Sequence, residues 1–404
     1  MTTDAAVARF TPRSGEGWRD PFGMYAALRD HAPVHQVESE RGDYWGLSRF
    51  DDVFAAARDT ERFSSAQGLT FAYDDMSFAG LEEARPIVMM DPPQHTEFRR
   101  LVSRAFTPRR VAALEPAVRV FVVERLERLR DEGGGDVAAS LFKPLPSMVV
   151  AHYLGVPASD RSRFDAWTEA IVAATAAGDA TGAPEAVMEL FGYFSSLIDY
   201  RRDSGDIGED TISTLVSAGA SKVDTLSVLG FAFTMVTGGN DTTTGLLGGA
   251  AELLTDHPDQ RRILLDEPAL IPTALEELLR LTSPVQGLAR TVTSDTSLHG
   301  KTIPAGRKVL LLFASANRDE RRFGPEAAWL DVRRDPKPIL TFGYGAHHCL
   351  GAAVARLQAR VTLEEMLARC PDFWVDTSAG EFAPGHFVRR YLHLPFNPVG
   401  LAAT

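Results

Sequence analysis

The sequence predicts a mainly α-helical protein with small β-sheets, and two observations support this class. Apolar residues recur at three- and four-residue spacing, as on one face of a helix, in segments 21–31, 108–130, 159–177, 184–202, 225–255 and 269–281. Strand-like runs are fewer and shorter, at 44–47, 298–303, 308–313 and 388–394. Helices therefore dominate, and the strands suffice only for small sheets.

Domain organisation follows from length and composition. The 404 residues exceed the size at which a single hydrophobic core usually stops growing. No Pro/Ser-rich linker, low-complexity tract or repeat divides the sequence, and the glycine-rich stretch 131–136 is short enough to be a surface loop. We therefore expect one domain spanning residues 1–404.

Charge and cysteine content exclude several classes of protein. A formal net charge of −12 argues against nucleic-acid binding, although it leaves a local basic patch open. Residues 1–20 lack an apolar run of signal-peptide length, and no unbroken apolar run is long enough for a membrane span. Two cysteines, Cys349 and Cys370, are too few for a disulfide scaffold or a structural zinc site. We expect a cytoplasmic protein without membrane insertion.

Segment 342–351 surrounds the more informative cysteine. Gly343 and Gly345 allow a tight turn, and a helix predicted over 352–367 begins directly after it. Cys349 then lies at a helix N-terminus, where the dipole and the N–H groups around Leu350 and Gly351 favour a thiolate. A thiolate suits a haem iron that cleaves dioxygen. The alternative is a buried free cysteine beside an ordinary glycine turn.

This segment, Phe-Gly-Tyr-Gly-Ala-His-His-Cys-Leu-Gly, resembles the haem-binding signature of the cytochrome P450 family at every specified position. The resemblance implies that Cys349 is the axial ligand of the haem iron. It also implies that Phe342, His347 and Gly351 bind the cofactor, with His347 at a propionate. Haem b and the co-substrate dioxygen follow, in a fold that holds the haem between a long central helix and the cysteine loop and helix.

Segment 225–255 is the candidate for that central helix. It is apolar nearly all round, which is typical of a helix through the interior, but it carries the polar stretch 238–244. Alone, such a stretch is more often a helix end or a loop. Its Gly-Gly-Asn-Asp-Thr-Thr resembles the family's distal motif. The resemblance implies that Gly238 and Gly239 let the helix open for dioxygen, and that Asp241 and Thr242 are a catalytic acid–alcohol pair that relays protons.

Two further groups gain meaning from the resemblance. Glu277 and Arg280 are three apart, and spacing alone favours a surface ion pair. The family instead has a structural Glu-x-x-Arg completed by a later arginine, for which Arg334 is the match and Arg333 the alternative.

His95 and Arg99 are four apart after a Pro-Pro helix start, so that one helix face presents two cationic donors. Each alone would be interpreted as a solvated surface residue. The resemblance makes them, with Arg290, ligands of the haem propionates, whose buried charge requires pairing.

The resemblance runs from residue 20 to Pro395 and is strongest to the bacterial branch numbered family 130. The family pattern places the substrate pocket between the central helix and the segments facing it, with 65–90 as a mobile access loop. The implied lining is apolar and favours an apolar small-molecule substrate. The lining residues are Phe71, Tyr73, Met89, Thr234, Thr237, Gly238, Gln286, Leu288, Phe387 and Val388.

The reaction needs an external electron source, because the sequence has no Gly-x-Gly-x-x-Gly unit for a flavin or nicotinamide. The resemblance implies a ferredoxin with its reductase. A local basic group, Arg100, Arg104, Arg109 and Arg110, is a candidate docking site, and a solvated helix face explains it equally well. Two rival functions stay open, a peroxide-driven peroxygenase and a haem sensor or carrier. The Asp241–Thr242 pair counts against both.

Overall fold

A computed structural model describes residues 9–40, 42–73, 85–176, 183–205, 208–219 and 223–400 of the chain. The predicted class, mainly α with small sheets, is confirmed. The α-helices of these residues are α1 Phe22–His31, α2 Phe50–Arg58, α3 Gln94–Val102, α4 Pro108–Ala113, α5 Glu115–Asp131, α6 Pro144–Tyr153, α7 Arg161–Ala176, α8 Pro184–Ser204, α9 Thr211–Ser217, α10 Thr225–Asp256, α11 Pro258–Asp266, α12 Ile271–Thr282, α13 Phe313–Ala316, α14 Glu320–Phe323 and α15 Ala352–Arg369.

One predicted helix is in fact two. Segment 108–130 divides at Leu114 into α4 and α5. Pro116 lies in the first turn of α5, where a residue needs no N–H for an intrahelical hydrogen bond. In the interior of one continuous helix the same proline would remove a backbone hydrogen bond, so the helix divides before it. The buried Leu114 side chain anchors the corner.

The strands form four small sheets within the described residues. The largest has the order β1-β2-β8-β5-β3, in which β2 and β8 are parallel. The strands are β1 Val34–Val37, β2 Tyr44–Leu47, β3 Phe63–Ser64, β4 Gly135–Asp136, β5 Leu288–Val292, β6 Thr296–Leu298, β7 Lys301–Ile303, β8 Lys308–Leu311, β9 Trp374–Val375, β10 Glu381–Phe382, β11 Tyr391–His393 and β12 Pro395–Asn397.

Three strand predictions were too long. The run 298–303 turns at His299 and Gly300, so that it joins the end of β6 to β7. The run 388–394 pairs as a strand only over β11. Its first residue, Val388, forms an isolated bridge with Val285. The run 308–313 ends at Leu311, since Phe313 already begins α13.

Helix α10 is the interior helix that the sequence predicts, and it ends one residue later. The predicted local opening at 238–244 was wrong: the helix is continuous there. Threonine hydroxyl groups form hydrogen bonds with its backbone carbonyl groups: Thr242 Oγ1 donates to Gly238 O (2.9 Å), and Thr243 Oγ1 donates to Gly239 O (3.2 Å). Within the described residues no helix, α10 included, is long and apolar enough to cross a lipid bilayer.

A glycine on α10 lets the C-terminal part of the chain pack directly on the helix. A Cβ at Gly245 would lie 2.6 Å from the carbonyl oxygen of Arg389 and 3.4 Å from Cβ of Arg390. The first of these contacts is with a backbone atom, whose displacement costs more free energy than the movement of a flexible side chain. Glycine at this position therefore fixes where Arg389 and Arg390 meet α10.

Helix α15, which follows the cysteine, is held against α5. Val118, Val122 and Leu126 of α5 are fully buried in the core cluster that also contains residues of α15. On the outer edge, Arg119 donates to Glu364 Oε2 (2.7 Å) and to Glu365 Oε1 (2.5 Å) of α15. Apolar packing and a networked set of ion pairs thus fix the helix that carries the cysteine loop.

We expect Gly245→Ala to lower the free energy of unfolding by about 1–3 kcal/mol, because the new methyl group overpacks against backbone. Gly192 is an exposed glycine of α8 whose Cβ would meet nothing within 4 Å. Gly192→Ala should therefore raise stability by roughly 0.5–1 kcal/mol. Urea denaturation of both variants checks the contrast, and equal effects at the two sites would contradict the close approach.

Candidate haem-binding and catalytic site

The cysteine loop is a tight turn between Leu340 and α15. Gly343 and Gly345 have φ of 65° and 73°, which side chains rarely adopt. A Cβ at Gly345 would also lie 2.9 Å from the carbonyl oxygen of Ala57. The loop closes where the Cys349 N–H donates to Phe342 O at 2.9 Å. Both predicted glycines are thus required by backbone conformation, and one of them by space.

The Cys349 side chain is accessible to solvent, although protein atoms surround it densely. Burial raises the pKa of its thiol, and the Gly351 N–H together with the charges of Arg99 and Arg356 offsets only part of this rise. The predicted effect of the backbone N–H groups is present, since the Gly351 N–H favours the thiolate, but burial has the larger effect on this pKa. A bound metal ion would add a further positive charge that favours the thiolate.

The second cysteine behaves differently. Cys370 is fully buried in the apolar core, where burial raises the pKa of its thiol to about 11. It is an inert core residue, in contrast with Cys349.

Four nitrogen-bearing side chains gather beside the cysteine loop. The ring centroids of His95 and His347 are 4.2 Å apart. Arg99 donates to the carbonyl of His348, and Arg290 is almost fully buried on β5. Burial lowers the pKa of Arg290 to about 10, and burial with the charges of Arg290, His95 and Arg99 lowers that of His347 to about 3. The cluster therefore combines two cationic guanidinium groups with two imidazole rings whose pKa values are lowered.

These four side chains, His95, Arg99, Arg290 and His347, fit a group with negative charge. None forms an ion pair with a carboxylate in the described part of the chain, and the buried His95 Nδ1 has no hydrogen-bond partner. Asp91 acts on Arg290 only at a distance, because its oxygens bind Ser64 and the backbone of Ser65. Buried guanidinium groups without a counter-charge are unfavourable, so the arrangement suits the two carboxylates of a haem.

Open space also borders α10. Gly238 is exposed in the middle of this buried helix, and a Cβ there would meet nothing within 4 Å. Its neighbour Gly239 is different, because its Cβ would lie 2.7 Å from Val150 Cγ2. Leu350, next to the cysteine, packs on the cluster that includes Phe231 and Val236 of α10. The cysteine loop and α10 therefore border the same apolar cluster.

Asp241 and Thr242 are not hydrogen-bonded to each other. Thr242 donates to Gly238 O, whereas Asp241 Oδ1 lies 2.7 Å from Nε of Arg390. Asp241 and Arg390 are both largely buried. Burial raises the pKa of Asp241, and the charges of Arg390 and Lys143 offset part of that rise. The acid therefore keeps a proton to a higher pH than an exposed aspartate does.

The glutamate–arginine group lies in the interior. Arg280 donates to both oxygens of Glu277 at 2.8 Å, and neither side chain is exposed. Arg334 completes the group, with Nη1 2.9 Å from Glu277 Oε1. Arg333 instead pairs with Glu267 at the surface. Spacing alone could not place this pair, because burial depends on elements distant in sequence.

The structure places several of the predicted pocket residues near α10 or β5, and their role in a pocket stays a prediction. The turn Ile87–Met89 lies against α10, and Thr234 and Thr237 are half-buried on α10. Leu288 begins β5, and Phe387 and Val388 approach it through the bridge to Val285. Phe71 stacks on Tyr44 (ring centroids 4.8 Å apart) and lies 5.4 Å from the Phe387 ring.

Two pocket predictions were wrong. Tyr73 is tied to the sheet, because its hydroxyl donates to Asp43 O and accepts from the Lys308 N–H (3.2 Å). Gln286 is fully buried; it accepts from Tyr25 Oη (3.2 Å) and donates to Ser283 O (2.7 Å). Both side chains hold the scaffold. The predicted access loop falls partly on residues 74–84, which lie outside the described residues.

Sequence reasoning missed four residues that contact the site. Asp91 and Ser65 brace the cationic cluster, the latter through a 3.2 Å contact of its Oγ with His347 Nε2. Arg390 holds Asp241, and Arg356 acts on Cys349. One signal was available, since Arg389 and Arg390 are adjacent charges in an otherwise strand-like run.

Comparisons with known proteins agree with this geometry. A family model for cytochrome P450 matches residues 265–373. Cytochrome P450 130 of Mycobacterium tuberculosis is 60% identical over 402 residues, covering 98% of this chain and 99% of the relative. The chain belongs to the cytochrome P450 family. It is therefore a monooxygenase that uses a haem-iron cofactor and dioxygen.

Solved cytochromes P450 share the fold. The bacillaene polyketide synthase cytochrome P450 PksS of Bacillus subtilis 168 matches with a TM-score of 0.87 and 31% identity, covering 97% of this chain and all of that one. CYP268A2 of Mycobacterium marinum, solved in complex with pseudoionone, matches with a TM-score of 0.84 and 32% identity, over 94% and 96% of the two chains.

Arg290→Met tests the cationic cluster. Because a hydrogen bond to a charged group contributes about 1.5–3 kcal/mol, the variant should lose haem roughly 10- to 100-fold faster than the parent protein. Transfer of haem to apomyoglobin measures this rate. Arg307 is an exposed arginine of the same chain, so Arg307→Met is the control and should not change the rate. Equal rates for all three proteins would remove Arg290 from the haem site.

Proposed function

We propose that the whole chain acts as one haem-thiolate monooxygenase domain with haem b, in which Cys349 is the axial iron ligand. One observation carries the proposal: an accessible cysteine lies beside four nitrogen-bearing side chains that have no carboxylate partner among the described residues. His95, Arg99, Arg290 and His347 would hold the propionates, and Phe342 and Gly351 would contact the cofactor. The nearly complete coverage of a relative supports a single domain. A cytoplasmic location stays a prediction from the sequence.

When bound, the haem iron supplies the activation of dioxygen; the side chains on α10 supply protons. Asp241 is the group that takes up and gives a proton, since burial raises its pKa above that of an exposed aspartate. Thr242 lies one residue further on, one turn from the open space at Gly238. Its hydroxyl both accepts and donates, so it can pass a proton from Asp241 to that space after a rotation or through one water.

We further propose an apolar small-molecule substrate that is hydroxylated or oxidatively dealkylated. Support comes from the half-buried apolar and threonine side chains near α10, Met89, Thr234, Thr237, Leu288 and Phe387. The complex of CYP268A2 with pseudoionone supports a small organic molecule.

Electrons come, in this proposal, from NAD(P)H through a ferredoxin reductase and a ferredoxin. Arg100 and Arg104 are exposed, and Arg104 and Arg110 line a surface pocket of about 290 Å³ with Thr214 and Ser217. Nη1 of Arg110 has no partner there. Arg99, which contacts the cysteine loop, lies in the last turn of α3 beside Arg100, and Arg104 and Arg110 follow in the next turn and on α4. An acidic partner docked there would be close to Cys349.

The oxygen source separates monooxygenase from peroxygenase. Product should form with NADPH, a ferredoxin and its reductase, and only weakly with hydrogen peroxide alone. Thr242→Ala should reduce the product formed per NADPH roughly tenfold, because proton delivery fails while electron supply continues. Thr243 is the neighbouring buried threonine with the same type of backbone bond, and Thr243→Ala should keep coupling near the parent value. Unchanged coupling in Thr242→Ala would remove Thr242 from the mechanism.

The double variant Arg104→Gln/Arg110→Gln tests the docking patch. Each exposed ion pair contributes about 0.2–1 kcal/mol, so the apparent Kd for the ferredoxin should rise roughly tenfold at low salt. Raising the ionic strength should reduce the difference between variant and parent. Arg128→Gln, an exposed arginine on α5, is the control. The patch is not the docking site if both variants bind with the parent Kd.

A further inference from the structure

Arg356 of α15 joins three elements around the cysteine loop. Its Nε donates to Glu276 Oε1 (2.6 Å) and its Nη2 to Glu276 Oε2 (3.0 Å), so that one carboxylate of α12 holds both. Its Cζ lies 4.5 Å from the centre of the Phe342 ring. Phe342 in turn accepts the N–H of Cys349. Arg356 and Phe342 therefore connect Glu276 to Cys349 through successive contacts.

The adjacent glutamates of α12 have separate partners. Glu277 is used by Arg280 and Arg334, whereas Glu276 binds only Arg356 among the ion pairs of the described residues. The Glu276 side chain is 9% exposed and that of Arg356 34% exposed. This partial burial makes their charges act more strongly on nearby groups than a fully solvated pair would.

The charge of Arg356 reaches the cysteine. A cation beside the cysteine loop favours the negative form of the Cys349 sulfur: the guanidinium lies 4.5 Å from the Phe342 ring centre, and the Phe342 carbonyl accepts the Cys349 N–H at 2.9 Å. Arg99 acts on Cys349 in the same direction, but Arg99 also belongs to the cationic cluster. The Arg356 charge, partly neutralised by Glu276, is therefore the one that can be varied without removing a candidate propionate ligand.

We propose that Glu276 and Arg356 are positioning residues that set the charge density on the Cys349 sulfur and, through it, the reduction potential of the bound iron. The inference rests on the proposed ligation by Cys349. Taking up one electron from the redox partner adds one negative charge at the iron and sulfur. A nearby cation favours that electron and a nearby anion opposes it.

Single-charge variants of the haem-loaded protein test the inference by spectroelectrochemistry. Arg356→Gln removes a cation and should lower the reduction potential. Glu276→Gln removes an anion, leaves the Arg356 charge without its counter-charge and should raise the potential. Arg356→Lys keeps the charge but not the planar, bidentate fork, and it should recover most of the loss. Loss of local structure alone would not shift the two glutamine variants in opposite directions.

Arg333→Gln is the matched control, because Arg333 also binds a glutamate in an ion pair, but at the surface with Glu267. Its potential should equal that of the parent. Shifts of Arg356→Gln and Glu276→Gln in the same direction, or no shift in either, would overturn the inference. If Arg356→Gln does not retain haem, Glu276→Gln still tests the sign. A parent protein without the thiolate-type carbon-monoxide spectrum would instead overturn the ligation by Cys349.

Discussion

Buried positive charge beside Cys349 is the constraint on which the rest of the structure depends. In the described part of the chain Arg290 lies in the interior without a carboxylate partner, and Arg99, His95 and His347 surround the same place. Such a cluster is unfavourable unless an anion neutralises it. The thiol of Cys349 has the complementary requirement, since burial raises its pKa until a cation is bound. An iron porphyrin with two carboxylates meets both requirements at once.

On the α10 side, the site depends on how closely the backbone at Arg389 approaches this helix. Gly245 brings Arg389 and Arg390 against α10, where they bind Glu252 and Asp241 at positions about three helical turns apart. These ion pairs fix the part of the chain that also presents Phe387 and Val388. The acid of the proposed proton relay is thus held by the same segment that borders the proposed substrate pocket.

The sequence predicted the parts of the fold that local pattern determines. The periodicity of 225–255 identified α10, and the glycines before Cys349 identified a turn that needs positive φ. Contacts between residues that are distant in sequence could not be predicted from local pattern. Gln286 looked like a lining residue, yet Tyr25, some 260 residues away, makes it part of the scaffold. The partners of Asp241 and Cys349 were likewise missed, because Arg390 and Arg356 meet them only after folding.

The carbon-monoxide difference spectrum of the dithionite-reduced protein tests the central claim most directly, because carbon monoxide reports on the ligand opposite it. The account predicts the red-shifted Soret band of a thiolate-ligated haem in the parent protein and its loss in Cys349→Ser. Cys370→Ser should keep the band, since Cys370 lies in the apolar core. A parent protein that binds no haem, or a Cys349→Ser variant that retains the thiolate band, would contradict it.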